Sequence, residues 1–385
     1  MNKAYAFFCR AYQTVFRAAL PILPYREPVQ LDGLASIVPL LTEKEISSVL
    51  LVTDASVRAL GLTGGLEDAL KADSVACAVY DKTVPNPTIA NIEEGRALYL
   101  SAHAQAIIAV GGGSVMDASK AAAWLAANSI SDEIRLFEGS LRHPPLPLAL
   151  VGTTAGTGSE VTAVAVLTVD RDRRKRSVTH PNCYAKLVFA DPRYTYTVPY
   201  DTTVSAALDA LSHAVEGWFS PGCGDVQSLF AEKAIPLLAD GLAELAAHPG
   251  TLPGAERRQA LYYASLDAGM VLNATGTAFP HPFGYILTED FGVPHGMACA
   301  VFLPALTKRA ERAAPERAAR LFDLFGGRER YYGTLAALTS VDVHMTEEQI
   351  EGYSARWPGL KNFARTPGGF TPEEGIALFR ALFLP

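Results

Sequence analysis

Short apolar, β-branched runs punctuate the first half of the chain: SVLLVTD (48–54), SVACAVY (74–80), AQAIIAVGGG (104–113), PLALVGTT (147–154) and KLVFADP (186–192). Each reads as a strand. Helix-like segments such as NIEEGRALYLSA and SVMDASKAAAWLAAN lie between several of them. That alternation predicts a mostly parallel sheet covered by helices. TAVAVLTVDRDRRKRSVTH breaks the rhythm: two extended runs around a charged turn predict a hairpin. From Tyr200 onward the period is helical, over 201–219, 225–247, 255–272, 295–324 and 371–383, with breaks at HPGTLPG and RTPGGFTP. The expected architecture is an α/β dinucleotide-binding domain over 28–198 and an all-α domain over 199–385. Residues 1–27 are read as a helical extension.

A length of 385 residues fits two domains. With 49% hydrophobic and 19% charged residues the chain is of globular type. A net charge of −7 disfavours nucleic acid and acidic membrane surfaces as partners. The five cysteines (Cys9, Cys77, Cys183, Cys223 and Cys299) contain no CxxC pair. They fit a reducing cytosol and outline neither a disulfide nor a metal framework. In the first 25 residues Arg10 and Arg17 interrupt the apolar run and no small-residue cleavage site follows. An amphipathic helix with Phe8, Tyr12 and Phe16 on one side is expected there, suited to covering a pocket or a subunit interface. No stretch is long and apolar enough to span a bilayer.

IIAVGGGSVMDASK (107–120) sets three glycines between a strand and a helix. Glycines there let the backbone approach a ligand, and the free N–H groups of the helix attract phosphate. Ser114 and Asp117 equally fit a capping box. VGTTAGTGSE (151–160) is a second turn of small and hydroxyl residues at a strand end. Neither turn is a GxGxxG or P-loop motif, but two at neighbouring parallel strand ends would share one crevice and favour a dinucleotide. Asp54, ending the first strand, serves either as a helix cap or as an acceptor for an adenosine ribose. The second role would disfavour a 2′-phosphate, hence NAD(H) over NADP(H).

Asp209 and His213 share one face of an otherwise apolar helix. His281 and His295 each follow a proline near a loop-to-helix junction. An Asp and three His make a sensible set for Fe2+ or Zn2+. Taken alone, an Asp–His pair at this spacing also reads as a simple hydrogen-bonded pair. His103, His143, His180, His248 and His344 are assigned as ordinary surface or core residues.

GGGSVMDASK, GTTAGTGSE, ADP, DALSHAVEG and PHG, in this order, resemble the iron-containing (group III) alcohol dehydrogenases over about residues 28–385. GTAFPHPFGYILT is similar to the branch with 1,3-propanediol dehydrogenase-like proteins. The resemblance implies a metal site of Asp209, His213, His281 and His295, holding Fe2+ or alternatively Zn2+. It implies a pyrophosphate turn of Gly112, Gly113, Ser114 and Asp117, and a second nucleotide turn of Thr153, Thr154 and Thr157. Asp54, Asn86 and Lys175 match further cofactor-contacting positions. Many members carry a histidine four residues after the first late ligand; here that position is Tyr285, the substitute candidate for proton transfer. The implied activity is metal-dependent, NAD(P)-linked hydride transfer between nicotinamide and a small primary alcohol, diol or aldehyde. The alternatives are a glycerol dehydrogenase-like zinc enzyme and a non-catalytic nucleotide- or metal-binding regulator. A cytoplasmic homo-oligomer, dimeric or larger, is expected.

Overall fold

The computed structural model describes residues 33–128, 133–171 and 173–384. The expected N-terminal helical extension, 1–27, lies outside them. Strands β1 (Ser48–Val52), β2 (Ala76–Tyr80), β3 (Ala106–Gly111), β4 (Leu148–Gly152) and β7 (Leu187–Phe189) form one parallel sheet in the order β2-β1-β3-β4-β7. β3 and β4 are buried along their whole length, as covering both faces of a parallel sheet requires. β5 (Val164–Val169) and β6 (Arg174–Thr179) pair antiparallel as the expected hairpin. Helices α1 (Ile37–Glu43), α2 (Ala55–Ala59), α3 (Gly64–Ala72), α4 (Ile89–Ser101), α5 (Gly113–Ala127) and α6 (Glu133–Glu138) complete this half.

In this order the chain passes from β1 to β2 on one side and then crosses back to lay β3 on the other side of β1. Ligands bind open α/β sheets outside the carboxyl ends of the strands at such a switch point. β3 and β4 run in register to a Gly111–Gly152 pair, so both glycine-rich turns begin side by side.

The C-terminal region is all-helical: α7 (Tyr200–Phe219), α8 (Asp225–Ala247), α9 (Ala255–Thr275), α10 (Pro280–Phe291), α11 (His295–Ala300), α12 (Leu303–Ala313), α13 (Pro315–Phe325), α14 (Arg328–Leu338), α15 (Glu347–Ser354), α16 (Lys361–Arg365) and α17 (Pro372–Phe383). The single helix expected over 295–324 is three helices. Pro304 and Pro315 occupy first-turn positions of α12 and α13, and Ala314, preceding a proline, leaves helical geometry at φ −148°, ψ 62°.

α7 threads the centre of this half, with Leu208, Leu211, Ala214 and Val215 fully buried. Glycines fix how closely its neighbours approach. A Cβ on Gly296 would fall 1.8 Å from the Ser205 carbonyl and 2.7 Å from the Asp209 amide nitrogen. One on Gly156 would fall 2.9 Å from Cα of Ala206. No side chain fits at either position, so α11 and the second glycine turn both lie directly on α7.

Candidate functional site

From Ala207 to Phe219 α7 is buried at every position, so the polar residues of that stretch sit inside the fold. Asp209, His213 and Glu216, at i, i+4 and i+7, share one face, and Glu216 is 0% exposed. α10 brings in His281 right after its first-turn proline, and α11 opens on His295. Three imidazole nitrogens then surround one carboxylate oxygen. Asp209 Oδ1 lies 3.7 Å from His213 Nε2, 3.6 Å from His281 Nε2 and 3.8 Å from His295 Nε2. These distances are too long for hydrogen bonds. They suit neighbouring ligands of one ion, which at bond lengths of 2.0–2.2 Å stand about 3.4 Å apart in a tetrahedron.

Asp209 Oδ1 and His281 Nε2 are buried without hydrogen-bond partners among the described residues. Such orphans are costly unless a ligand or ion completes them. His281 Nδ1 lies 2.6 Å from Glu216 Oε1, and Glu216 Oε2 accepts from the Ala278 amide at 2.8 Å. With its proton on Nδ1, the ring turns the Nε2 lone pair toward Asp209. This carboxylate–histidine arrangement is typical behind metal-binding imidazoles. The donor set therefore fits a divalent ion.

The charges agree with a site built around a cation. Burial would raise the Asp209 carboxyl, but His213, His281 and His295 together hold it well below the usual carboxylate range. Burial pushes His213 down to about 4 and outweighs the pull of Asp209. Burial also opposes protonation of His281, yet Glu216 and Asp209 raise it to about 10.

Tyr285 stacks on His295 with ring centroids 5.4 Å apart, and Lys175 Nζ lies 5.3 Å from the tyrosine ring centroid. Within the basic run 173–176, Lys175 is thus the residue directed at the site. Its amide is tied to Glu289 at 2.8 Å, and burial lowers its ammonium below the ordinary lysine range.

The nucleotide-turn residues also converge. A Cβ on Gly112 would lie 3.2 Å from Thr154, and one on Gly113 2.5 Å from Thr157, so the two turns touch. The Thr153 amide donates to the Gly111 carbonyl at 3.0 Å. Asn86, in the left-handed region at φ 57°, donates its amide to Ser114 Oγ at 3.2 Å. Asp54 caps α2 through the amides of Ser56 and Val57, so its capping role is realised in the structure.

The expected Ser114–Asp117 capping box does not form. Gly112 is the cap of α5, two residues before Ser114. Asp117 instead accepts from Ser159 Oγ at 2.6 Å and from the Val166 amide at 2.8 Å, bracing the first turn against the second. Lys120, fully buried, donates to the Ser159 carbonyl, Ser159 Oγ and the Val164 carbonyl, each at 2.7 Å. Glu216, Lys120 and Cys299 also lie at the candidate site, and sequence reasoning does not single them out. Glu216 carries a signal in its i+7 spacing from Asp209, and Cys299 in its i+4 spacing from His295.

A glycine-rich crevice at a sheet switch point, adjoining an Asp–His cage on helices, defines a nucleotide-linked metalloenzyme type of site. The family model "Iron-containing alcohol dehydrogenase" matches residues 29–192, and "Fe-containing alcohol dehydrogenase family, C-terminal" matches 203–351. The chain belongs to the iron-containing alcohol dehydrogenase family. It is 31% identical over 286 residues to alcohol dehydrogenase 4 of Saccharomyces cerevisiae, covering 74% of this chain and 73% of that one. It is 32% identical over 281 residues to 1,3-propanediol dehydrogenase of Klebsiella pneumoniae, covering 72% and 71%. The solved structure of sulfoacetaldehyde reductase from Bifidobacterium kashiwanohense, in complex with NAD+, superposes with a TM-score of 0.83 at 26% identity, covering 93% and 98%.

Proposed function

We propose that the protein is a metal-dependent, NAD-linked alcohol dehydrogenase and aldehyde reductase acting on small primary alcohols, diols or aldehydes. One observation carries the reading: three imidazole nitrogens gather within 3.8 Å of a single buried, unpartnered carboxylate oxygen. Asp209, His213, His281 and His295 hold the ion, Fe2+ by family and Zn2+ by the same donor chemistry. When bound, the ion supplies Lewis acidity toward the substrate oxygen, and the nicotinamide carries the hydride.

The chain's own residues supply position and exclusion of water. Gly112, Gly113 and Ser114 offer close backbone approach and the free N–H groups of α5 to the pyrophosphate. Thr153, Thr154 and Thr157 form the facing wall, and Asn86 and Lys175 reach the cofactor from the hairpin side. Asp117 acts through Ser159 rather than on the ligand. Asp54 keeps one negative charge at the end of β1, which favours NAD over NADP. Tyr285, stacked on His295, lines the substrate side where many relatives place a histidine. Burial, with the negative charge of Asp209 nearby, pushes its phenol far above the ordinary tyrosine value, so it works as a hydrogen-bond donor.

Support for NAD comes from the relative named NAD-dependent methanol dehydrogenase of Bacillus methanolicus and from the NAD+ complex above. Among the described residues no helix is long and apolar enough to cross a membrane. The test is a panel of aldehydes and alcohols with NADH and NADPH, after reconstitution with Fe2+ or Zn2+. His213→Ala is expected to lose bound metal and turnover together while NADH still binds. Full turnover in a metal-free protein would sink the reading.

A further inference from the structure

The β5–β6 hairpin stands apart from the main sheet, and two strands alone are marginally stable. Its position therefore comes from contacts with its surroundings. Thr168 and Lys175 face each other across it, and both turn their amides outward at this rung. Thr168 donates to the Pro87 carbonyl at 2.8 Å, and the Val166 amide donates to Asp117 at 2.8 Å, so β5 is fastened to the cofactor half. On β6 the Lys175 amide instead crosses to the helical half and donates to Glu289 Oε1 at 2.8 Å. Arg174, Arg176 and Ser177 beside it are exposed, so packing does little to hold the strand at this level.

Tyr285 and Glu289 stand one turn apart on α10, so one helix face meets Lys175 twice. The tyrosine ring takes the ammonium, with Nζ 5.3 Å from its centroid, and the carboxylate takes the amide. Glu289 is itself fixed from behind. Its side chain is 12% exposed, and Arg356 Nη1 lies 3.5 Å from its Oε2 while Nη2 lies 3.6 Å from Asp290 Oδ2. A lysine carries its charge on a flexible four-carbon stem, so the ammonium goes where the backbone and the ring direct it. We propose that Glu289 is a positioning residue for Lys175, holding the hairpin backbone against α10 so that the ammonium faces the cofactor crevice. The inference rests on the reading of Lys175 as a cofactor-contacting residue, and Glu289 acts through it.

The test is NADH binding to the full chain, read by fluorescence titration with metal content measured alongside. Glu289→Ala is expected to raise the NADH dissociation constant about tenfold, the worth of one hydrogen bond to a charged group, with metal content unchanged. Lys175→Ala is expected to raise it at least as far. In the double variant the two losses should not add, because one residue acts through the other. Glu289→Gln keeps an acceptor oxygen in the same place, whereas Glu289→Asp keeps the charge and withdraws it by one methylene. The Gln variant should therefore bind NADH more tightly than the Asp variant. Unchanged NADH affinity in a folded Glu289→Ala, or a loss that adds in full to that of Lys175→Ala, overturns the Glu289 assignment. An Asp variant that binds as tightly as the Gln variant overturns it too, which keeps the test decisive even where Glu289→Ala fails to fold. Unchanged affinity in Lys175→Ala overturns the cofactor reading of Lys175 and the inference with it.

Discussion

Replacing Glu216 by Gln removes one charge behind the metal cage and leaves the four candidate ligands in place. The carboxylate is wholly buried and serves two donors, His281 Nδ1 at 2.6 Å and the Ala278 amide at 2.8 Å. A glutamine offers one acceptor oxygen where two are needed, so its NH2 group must face one of those donors. A buried donor left unmatched costs about 1–3 kcal/mol, and that loss falls on the fold. The second loss falls on the metal, because a neutral partner no longer fixes the His281 tautomer or strengthens its basicity. Outer partners of this kind are worth about 10–100-fold in metal affinity, which is about 1.4–2.8 kcal/mol. Chelator competition on Glu216→Gln is therefore expected to show metal binding weakened by that factor. Thermal melts of the metal-free protein should show the separate stability loss. Unchanged metal affinity in a folded Glu216→Gln would refute the assignment of Glu216 as the group that orients His281.

Three further outcomes follow from the cofactor half and from the buried phenols. In Gly113→Ala the new Cβ would sit 2.5 Å from Thr157 Cγ2. Restoring ordinary contact moves the turns apart by roughly 1 Å, a misplacement worth up to about a hundredfold in kcat/KM for NADH. Metal content should be unaltered, and wild-type kinetics would refute the contact. Asp54→Ser keeps a side chain able to cap α2 and removes the charge. If that charge faces the ribose, preference should shift toward NADPH by about tenfold, as the repulsion between close unit charges allows; an unchanged NADPH/NADH ratio in kcat/KM would leave Asp54 a cap alone. Burial lifts Tyr80, helped by Glu94, and Tyr353, helped by Asp290, from 10.0 up to about 12. A raised tyrosine favours the folded state fully below pH 10 and loses that contribution as pH climbs from 10 to 12. Ultraviolet titration should find these phenols ionising late in the folded protein, with denaturant midpoints falling over the same window; ionisation near pH 10 without unfolding would contradict this.

Much of the architecture is legible in the sequence because the two hydrophobic periods, two and 3.6, change near Tyr200 and leave no ambiguity of class. The hairpin at 164–179 is visible because charged residues concentrate in its turn and exposed strand. The helix run after His295 is not, because apolar spacing continues through Pro304 and Pro315. Those prolines permit a helix to begin and disfavour its continuation, and the period alone does not separate the two. Asp117 misleads for a related reason. A Ser-x-x-Asp pattern looks the same whether the helix starts at the serine or two residues before it, and only the register of β3 fixes the start.

Glu216 and Cys299 show what a linear reading lacks. Both stand at helical spacing from a recognised polar residue, yet spacing also describes any solvated helix face. What distinguishes them is burial, and burial here is imposed by glycines. Gly296 lets α11 rest on the backbone of α7, Gly284 lets α10 close over the Cys299 sulfur, and Gly156 brings the second nucleotide turn onto the same helix. The same close approaches that exclude water from the cage make it adjoin the cofactor turns. A single methyl group at Gly156 would separate the cofactor half from the helical half, and one at Gly296 or Gly284 would open the cage itself. Gly296→Ala, whose Cβ would overlap the Ser205 carbonyl at 1.8 Å, is thus expected to disturb metal retention although it alters no ligand.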